Sequence, residues 1–112
     1  MVEGISDEEL YKHQFMGFVG LLTNSAMQQL GKLVNPMSGK VERNLEGAKA
    51  TIDMVKMLQV KTKGNLSKEE QQMLDTSLSS LQLNYVDELK RKDEPPAAAE
   101  KPPEDKPDEP KA

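Results

Sequence analysis

The sequence predicts an all-α fold, three helices in an antiparallel bundle that associates with itself, followed by a disordered tail rich in Pro, Glu and Lys. Three observations carry that expectation. Across most of residues 7–90 apolar side chains recur at steps of three and four, the spacing that lines one face of a helix. Ser6 and Ser67 each stand three residues before a glutamate, Glu9 and Glu70, the pattern in which two side chains satisfy the free amides at a helix start. Six of the seven prolines fall between Pro95 and Pro110, a density no helix tolerates.

The first helix is expected over Asp7–Leu30, closed by Gly31 and about 35 Å long at 1.5 Å per residue. It carries two apolar sets rotated from one another: Tyr11, Phe15, Phe18, Leu22 and Ala26, then Met16, Val19, Met27 and Leu30. A helix that is apolar nearly all round is usually buried on more than one side. Three helices in a body of about 90 residues have few elements with which to cover such a surface. The expected self-association surface is therefore Phe15, Gly17, Phe18, Val19, Gly20 and Leu22, with the two glycines letting another backbone approach.

The link Lys32–Lys40 contains Asn35-Pro36 and Gly39, an extended dipeptide followed by a residue suited to chain reversal, so it reads as a loop. The second helix is expected to start between Ser38 and Arg43 and to run to Thr62, burying Leu45, Ala48, Ile52 and Val55. Gly64 is placed for a left-handed stop, with Lys61 and Lys63 near the negative end of the helix dipole. The third helix is expected over Lys68–Leu89, with Leu74, Leu78, Leu81, Tyr85 and Leu89 as its core stripe. The short connection Lys63–Ser67 sets the second and third helices antiparallel.

Composition divides the chain into a helical domain, 7–90, and a tail, 91–112. Residues 92–112 hold seven acids against four lysines, a net charge of −3 that leaves only −1 for the rest. Proline recurring among Glu, Asp, Lys and Ala buries too little apolar surface to offset chain entropy, so the tail is expected to be disordered with polyproline II character.

The same composition narrows the function classes. Without cysteine there are no disulfides, thiolate metal sites or cysteine nucleophiles. The acidic residues Glu3, Asp7, Glu8 and Glu9 stand where a signal peptide would be basic, and the apolar run Phe15–Leu22 is short of the roughly 20 residues that span a bilayer. A cytoplasmic location is the expectation. His13 with Glu9 at i−4 could form a carboxylate-histidine pair that orients a base, but an exposed helix pair is the commoner outcome and no nucleophile stands nearby. A lone histidine among scattered carboxylates also lacks metal-ligand spacing, so no catalytic residue, metal or cofactor is expected. Glu46, Lys49, Asp53 and Lys56 alternate in sign along one helix face and read as a solvated salt-bridge row. Lys61, Lys63, Gly64 and Asn65 form a basic loop able to meet an anion or a partner, although it lacks the spacing and the strand–helix setting of a phosphate-binding loop.

The order of Leu30-Gly31, Asn35-Pro36, Gly39, Asn44-Leu45-Glu46, Ala48, Ile52-Asp53, Met57-Leu58, Lys61-Thr62-Lys63-Gly64-Asn65-Leu66, Leu74, Leu81 and Tyr85-Val86 resembles a small bacterial family, domain of unknown function 1844. The resemblance covers about Phe15 to Val86. It implies a bacterial cytoplasmic helical domain with no assigned activity and no catalytic residue to carry over. The expected function is a non-catalytic interaction and oligomerisation module, a homo-oligomer whose protein partner the sequence does not name. The alternative is a factor that docks on RNA or the ribosome through Lys49, Lys56, Lys61, Lys63 and Lys68 with Asn65. Glu46, Asp53 and the near-neutral body disfavour it, because nucleic-acid affinity rests on an excess of cations meeting phosphates.

Overall fold

The computed structural model describes residues 4–96, in the order helix, two-stranded hairpin, helix, helix. Ser6 starts α1 (Asp7–Gln29) by accepting the Glu9 amide on its hydroxyl at 3.1 Å. Leu30 ends the helix in a Schellman arrangement. There the Gly31 amide donates to the Gln28 carbonyl and the Lys32 amide to the Met27 carbonyl, which requires the left-handed φ of +78° that Gly31 supplies. The chain therefore turns sharply, and Lys32 comes to lie against Asp87 and Glu88.

The expected loop after α1 closes into a short antiparallel hairpin, β1 (Val34–Asn35) against β2 (Lys40–Val41). Asn35 organises it: its side-chain oxygen accepts the Met37 amide and its carbonyl accepts the Gly39 amide, with Gly39 at φ +73°. Because β2 occupies Lys40 and Val41, the second helix cannot begin between Ser38 and Arg43. It begins later, as α2 (Leu45–Lys61), where the Asn44 side chain accepts the Gly47 amide at 3.0 Å. The Asn44 amide in turn donates to the Gln29 carbonyl, tying the start of α2 to the end of α1.

A turn in which the Asn65 amide donates to the Thr62 carbonyl, with Gly64 at φ +83°, leads into α3 (Lys68–Lys90). Ser67 and Glu70 form both arms of the expected capping box, the Glu70 carboxylate accepting the Ser67 amide at 2.7 Å.

Each helix contributes three side chains to the core: Val19, Ala26 and Leu30; Ala48, Ile52 and Val55; Leu74, Leu78 and Leu81. Burying a leucine or valine contributes about 1.5–3 kcal/mol. The α2 stripe is as the spacing predicts, with Leu45 packed against it. Helix α1 packs against both other helices. Both of its apolar sets therefore reach the one core, Phe15, Leu22 and Ala26 from the first and Val19, Met27 and Leu30 from the second. On α3 the expected stripe holds to the partly buried Tyr85 and then fails, since Leu89 is 44% exposed and Glu88 is fully buried. Stepping inward from Tyr85, both 88 and 89 are helical neighbours of the stripe. The glutamate takes the inner position because Lys32, from the link after α1, and Arg43, just ahead of α2, meet it there.

Among the described residues no helix is long and apolar enough to cross a membrane. Residues 97–112 of the expected tail lie outside the described residues.

Candidate interaction surface

The hydroxyl of Thr51 on α2 donates to the Gln29 side-chain oxygen at 2.7 Å, which identifies the flank of α1 turned toward α2. At about 100° per residue Tyr11 lies on the same line as Gln29, Phe18 about 20° from it and Leu21 about 80°. All three are open to solvent, at 62%, 48% and 66% exposure. On α2 the position corresponding to Thr51 but rotated outward is Met54, followed by Met57, and both are nearly half exposed. The outer flank of the α1–α2 pair is thus apolar on both helices. Thioether side chains are flexible enough to fit an irregular apposing surface.

Gly17 lies outside this flank, about 120° round the helix from Gln29 and about 40° beyond Leu21, and is exposed. A β-carbon placed on it would meet nothing within 4 Å, whereas one placed on Gly20 would touch Met73 of α3 at 3.9 Å. Of the six residues expected to mediate self-association, Gly17 and Phe18 face outward. Val19 has no exposed surface, Phe15 and Leu22 pack against the core, and Gly20 faces α3, so these four serve the fold. Sequence reasoning missed Leu21, which belongs to neither predicted stripe, and the two α2 methionines, which α2 brings alongside.

The basic loop is exposed at Lys61, Lys63, Gly64 and Asn65. At the α3 N-terminus the capping box already places the Glu70 carboxylate on the Ser67 amide, where an external anion would bind. The cleft between this loop and the start of α1 is lined by Glu8, Glu9 and Lys12 among others, and Lys12 is engaged by Glu69 at 3.0 Å, which holds the Glu69 carboxyl below its ordinary range. Of the lysine row, Lys49 pairs with Asp53 at 3.0 Å, which raises the lysine, and Lys56 donates to Gln59. These lysines are spent on neighbours of their own chain. His13 is exposed on α1, and no group of three or more metal-ligating side chains occurs among the described residues.

The other feature that sequence reasoning missed is the ionic centre on Glu88. Its carboxylate, with no exposed surface, receives Arg43 at 2.8 Å, Lys32 at 2.9 Å and, more distantly, Arg91 at 3.9 Å. Lys32 also reaches Asp87 at 2.6 Å. Burial pulls the Lys32 ammonium down, but its hydrogen bonds to Asp87 and Glu88 outweigh that and leave it above its ordinary value. The Lys32 hydrogen bond likewise holds Asp87 below the usual carboxylate range. A carboxylate out of water is tolerable only with such partners. The signal available in the sequence was an acid at a position the helical spacing makes an inner one.

Three helices, a hairpin between the first two, one apolar outer flank and one internal ionic centre define a small helical domain. The chain belongs to the family described as domain of unknown function (DUF1844), which matches residues 12–87. The match spans the whole core and both connections, in agreement with the resemblance carried by the LG, NP and KTKGNL blocks. No curated protein and no solved structure matches the chain.

Proposed function

We propose that the protein is a non-catalytic interaction module, an antiparallel three-helix bundle that binds a second copy of itself through the outer flank of α1 and α2. The observation that carries this reading is Gly17. A glycine inside a helix costs about 0.8–1.0 kcal/mol relative to alanine, and nothing in this fold occupies the space its missing side chain leaves. Leu21, one turn on and about 40° round the helix from it, is apolar and exposed, and Phe18, also exposed, lies about 100° round toward α2. Close approach of another backbone over Gly17 and Leu21, extending toward Phe18 and Met54, brings these features into one interface. The up-down-up course of the helices is supported by their ends: Gln29 meets Thr51, Lys12 meets Glu69, and Lys32 meets Glu88.

Sedimentation equilibrium at micromolar concentration tests the reading. The protein is expected to run as a dimer or larger species, and Leu21→Glu and Phe18→Glu are expected to shift it to monomer while the helical circular dichroism stays unchanged. A wild-type chain that is monomeric throughout that range would overturn it.

A further inference from the structure

We propose that Glu88 is the hub of a clasp that holds residues 92–96 across the junction of α1 and α2, so that the folded body extends past the end of α3 through Pro96. Arg43, just ahead of α2, is the bridging element. One of its terminal nitrogens donates to the Glu88 carboxylate at 2.8 Å, and the other donates to the Lys92 carbonyl at 3.0 Å and to the Glu94 carbonyl. A planar guanidinium presents donors along separate edges and so serves a carboxylate and a pair of carbonyls at once, which an ammonium does not match. Arg91 donates to the Pro95 carbonyl at 3.4 Å, and the Glu94 amide donates back to the Arg91 carbonyl at 2.9 Å, closing a turn directly after α3.

Pro96 completes the hold from the other side. A β-carbon on Gly31 would lie 2.7 Å from the Pro96 Cβ, so the ring rests on the buried glycine that ends α1. Gly31 thus meets two demands, a left-handed turn and a bare surface for the strap. The side chains of Lys92, Asp93, Glu94 and Pro95 remain exposed while the carbonyls of Lys92, Glu94 and Pro95 are gripped, so the clasp reads backbone. Two consecutive prolines lower the entropy lost on ordering the segment. The consequence is that residues 92–96 are fixed beside the end of α1.

Limited trypsinolysis followed by mass spectrometry tests the clasp at the Lys92–Asp93 bond, compared with the same bond in a synthetic peptide of residues 89–112. The full-length chain is expected to be cut there at least tenfold more slowly than the peptide. Arg43→Gln should remove most of that protection with helical circular dichroism retained. Pro96→Gly, which leaves the Glu88 ion pairs in place, should speed the cut about threefold, and it alone decides the matter should Arg43→Gln lose its helical signal. Cleavage of the wild-type chain at the peptide rate would overturn the proposal, as would wild-type rates in Pro96→Gly and in a folded Arg43→Gln.

Discussion

The outer flank of α1 and α2 and the ionic centre on Glu88 break the rule of apolar inside and polar outside in opposite directions. The flank leaves Phe18, Leu21, Met54 and Met57 in water, and Gly17, next round the helix from Leu21, has open space over it. The centre takes a carboxylate out of water and surrounds it with Lys32, Arg43 and Arg91. Exposed apolar side chains cost little when scattered, but gathered on one face they mark a surface that associates. A buried charge must be met inside the chain, or the fold does not form. One exception is therefore resolved within the protomer, and on the proposed function the other is resolved by a second copy. Changes at the first should act on stability, and changes at the second on assembly.

Glu88→Ala should produce the largest effect, about 3–5 kcal/mol lost in urea unfolding, because it takes the shared carboxylate from Lys32 and Arg43, whose side chains are only 14% and 12% exposed. A loss below about 1 kcal/mol would mean that these cations reach solvent, and the contrast between the regions would dissolve.

Two glycines, Gly17 in α1 and Gly31 just beyond its end, should respond with opposite sign to the same substitution. Gly31→Ala forces a side chain onto a left-handed backbone beneath Pro96 and should destabilise by about 1–3 kcal/mol. Gly17→Ala should stabilise the protomer by about 0.8–1.0 kcal/mol, measured at concentrations where it is dissociated, while weakening association. Equal or stronger association in Gly17→Ala would show that no backbone approaches there.

Between these in size, Ser67→Ala should cost about 1 kcal/mol through the lost capping box, with no change in assembly.

The smallest effects concern pH. Asp87, held down by the Lys32 hydrogen bond, Glu69 by Lys12, and Asp75 by Gln59 and Gln71 all have folded values below their ordinary ones. Their contribution is present above the ordinary carboxylate range and is lost as pH falls through the depressed values. Lys32, raised on balance by Asp87 and Glu88, contributes fully below its ordinary value of 10.5 and loses that contribution as pH rises beyond it. Thermal midpoints should accordingly stay flat from about pH 5 to about pH 9 and fall on either side. A midpoint that drops between about pH 6 and 7 would point to a titrating group other than these.

Much of the fold was legible because its signals are local. The stop at Gly31, the box at Ser67 and Glu70, and the stripe Leu45, Ala48, Ile52 and Val55 each depend on residues within a few turns of one another. The start of α2 was misplaced because two local signals competed. Asn35 and Gly39 closed a hairpin that consumed Lys40 and Val41, leaving Asn44 as the cap. The interaction face was legible only in part. The apolar excess on α1 was visible, but which of its residues turned outward depended on where α2 and α3 lie.

The sequence by itself determined three helices, the N-caps of the first and third and most of the core stripe, since helix periodicity and capping are set by neighbours along the chain. Only the tertiary structure decided that Glu88 and not Leu89 turns inward, that Val19 is core while Leu21 is surface, and that Arg43 reaches past α3 to the residues beyond it. The physical reason is the same in each case. Whether a position is inside depends on partners such as Lys32 and Arg43, which lie far away in the chain, and no local pattern records which distant cation will arrive beside which carboxylate.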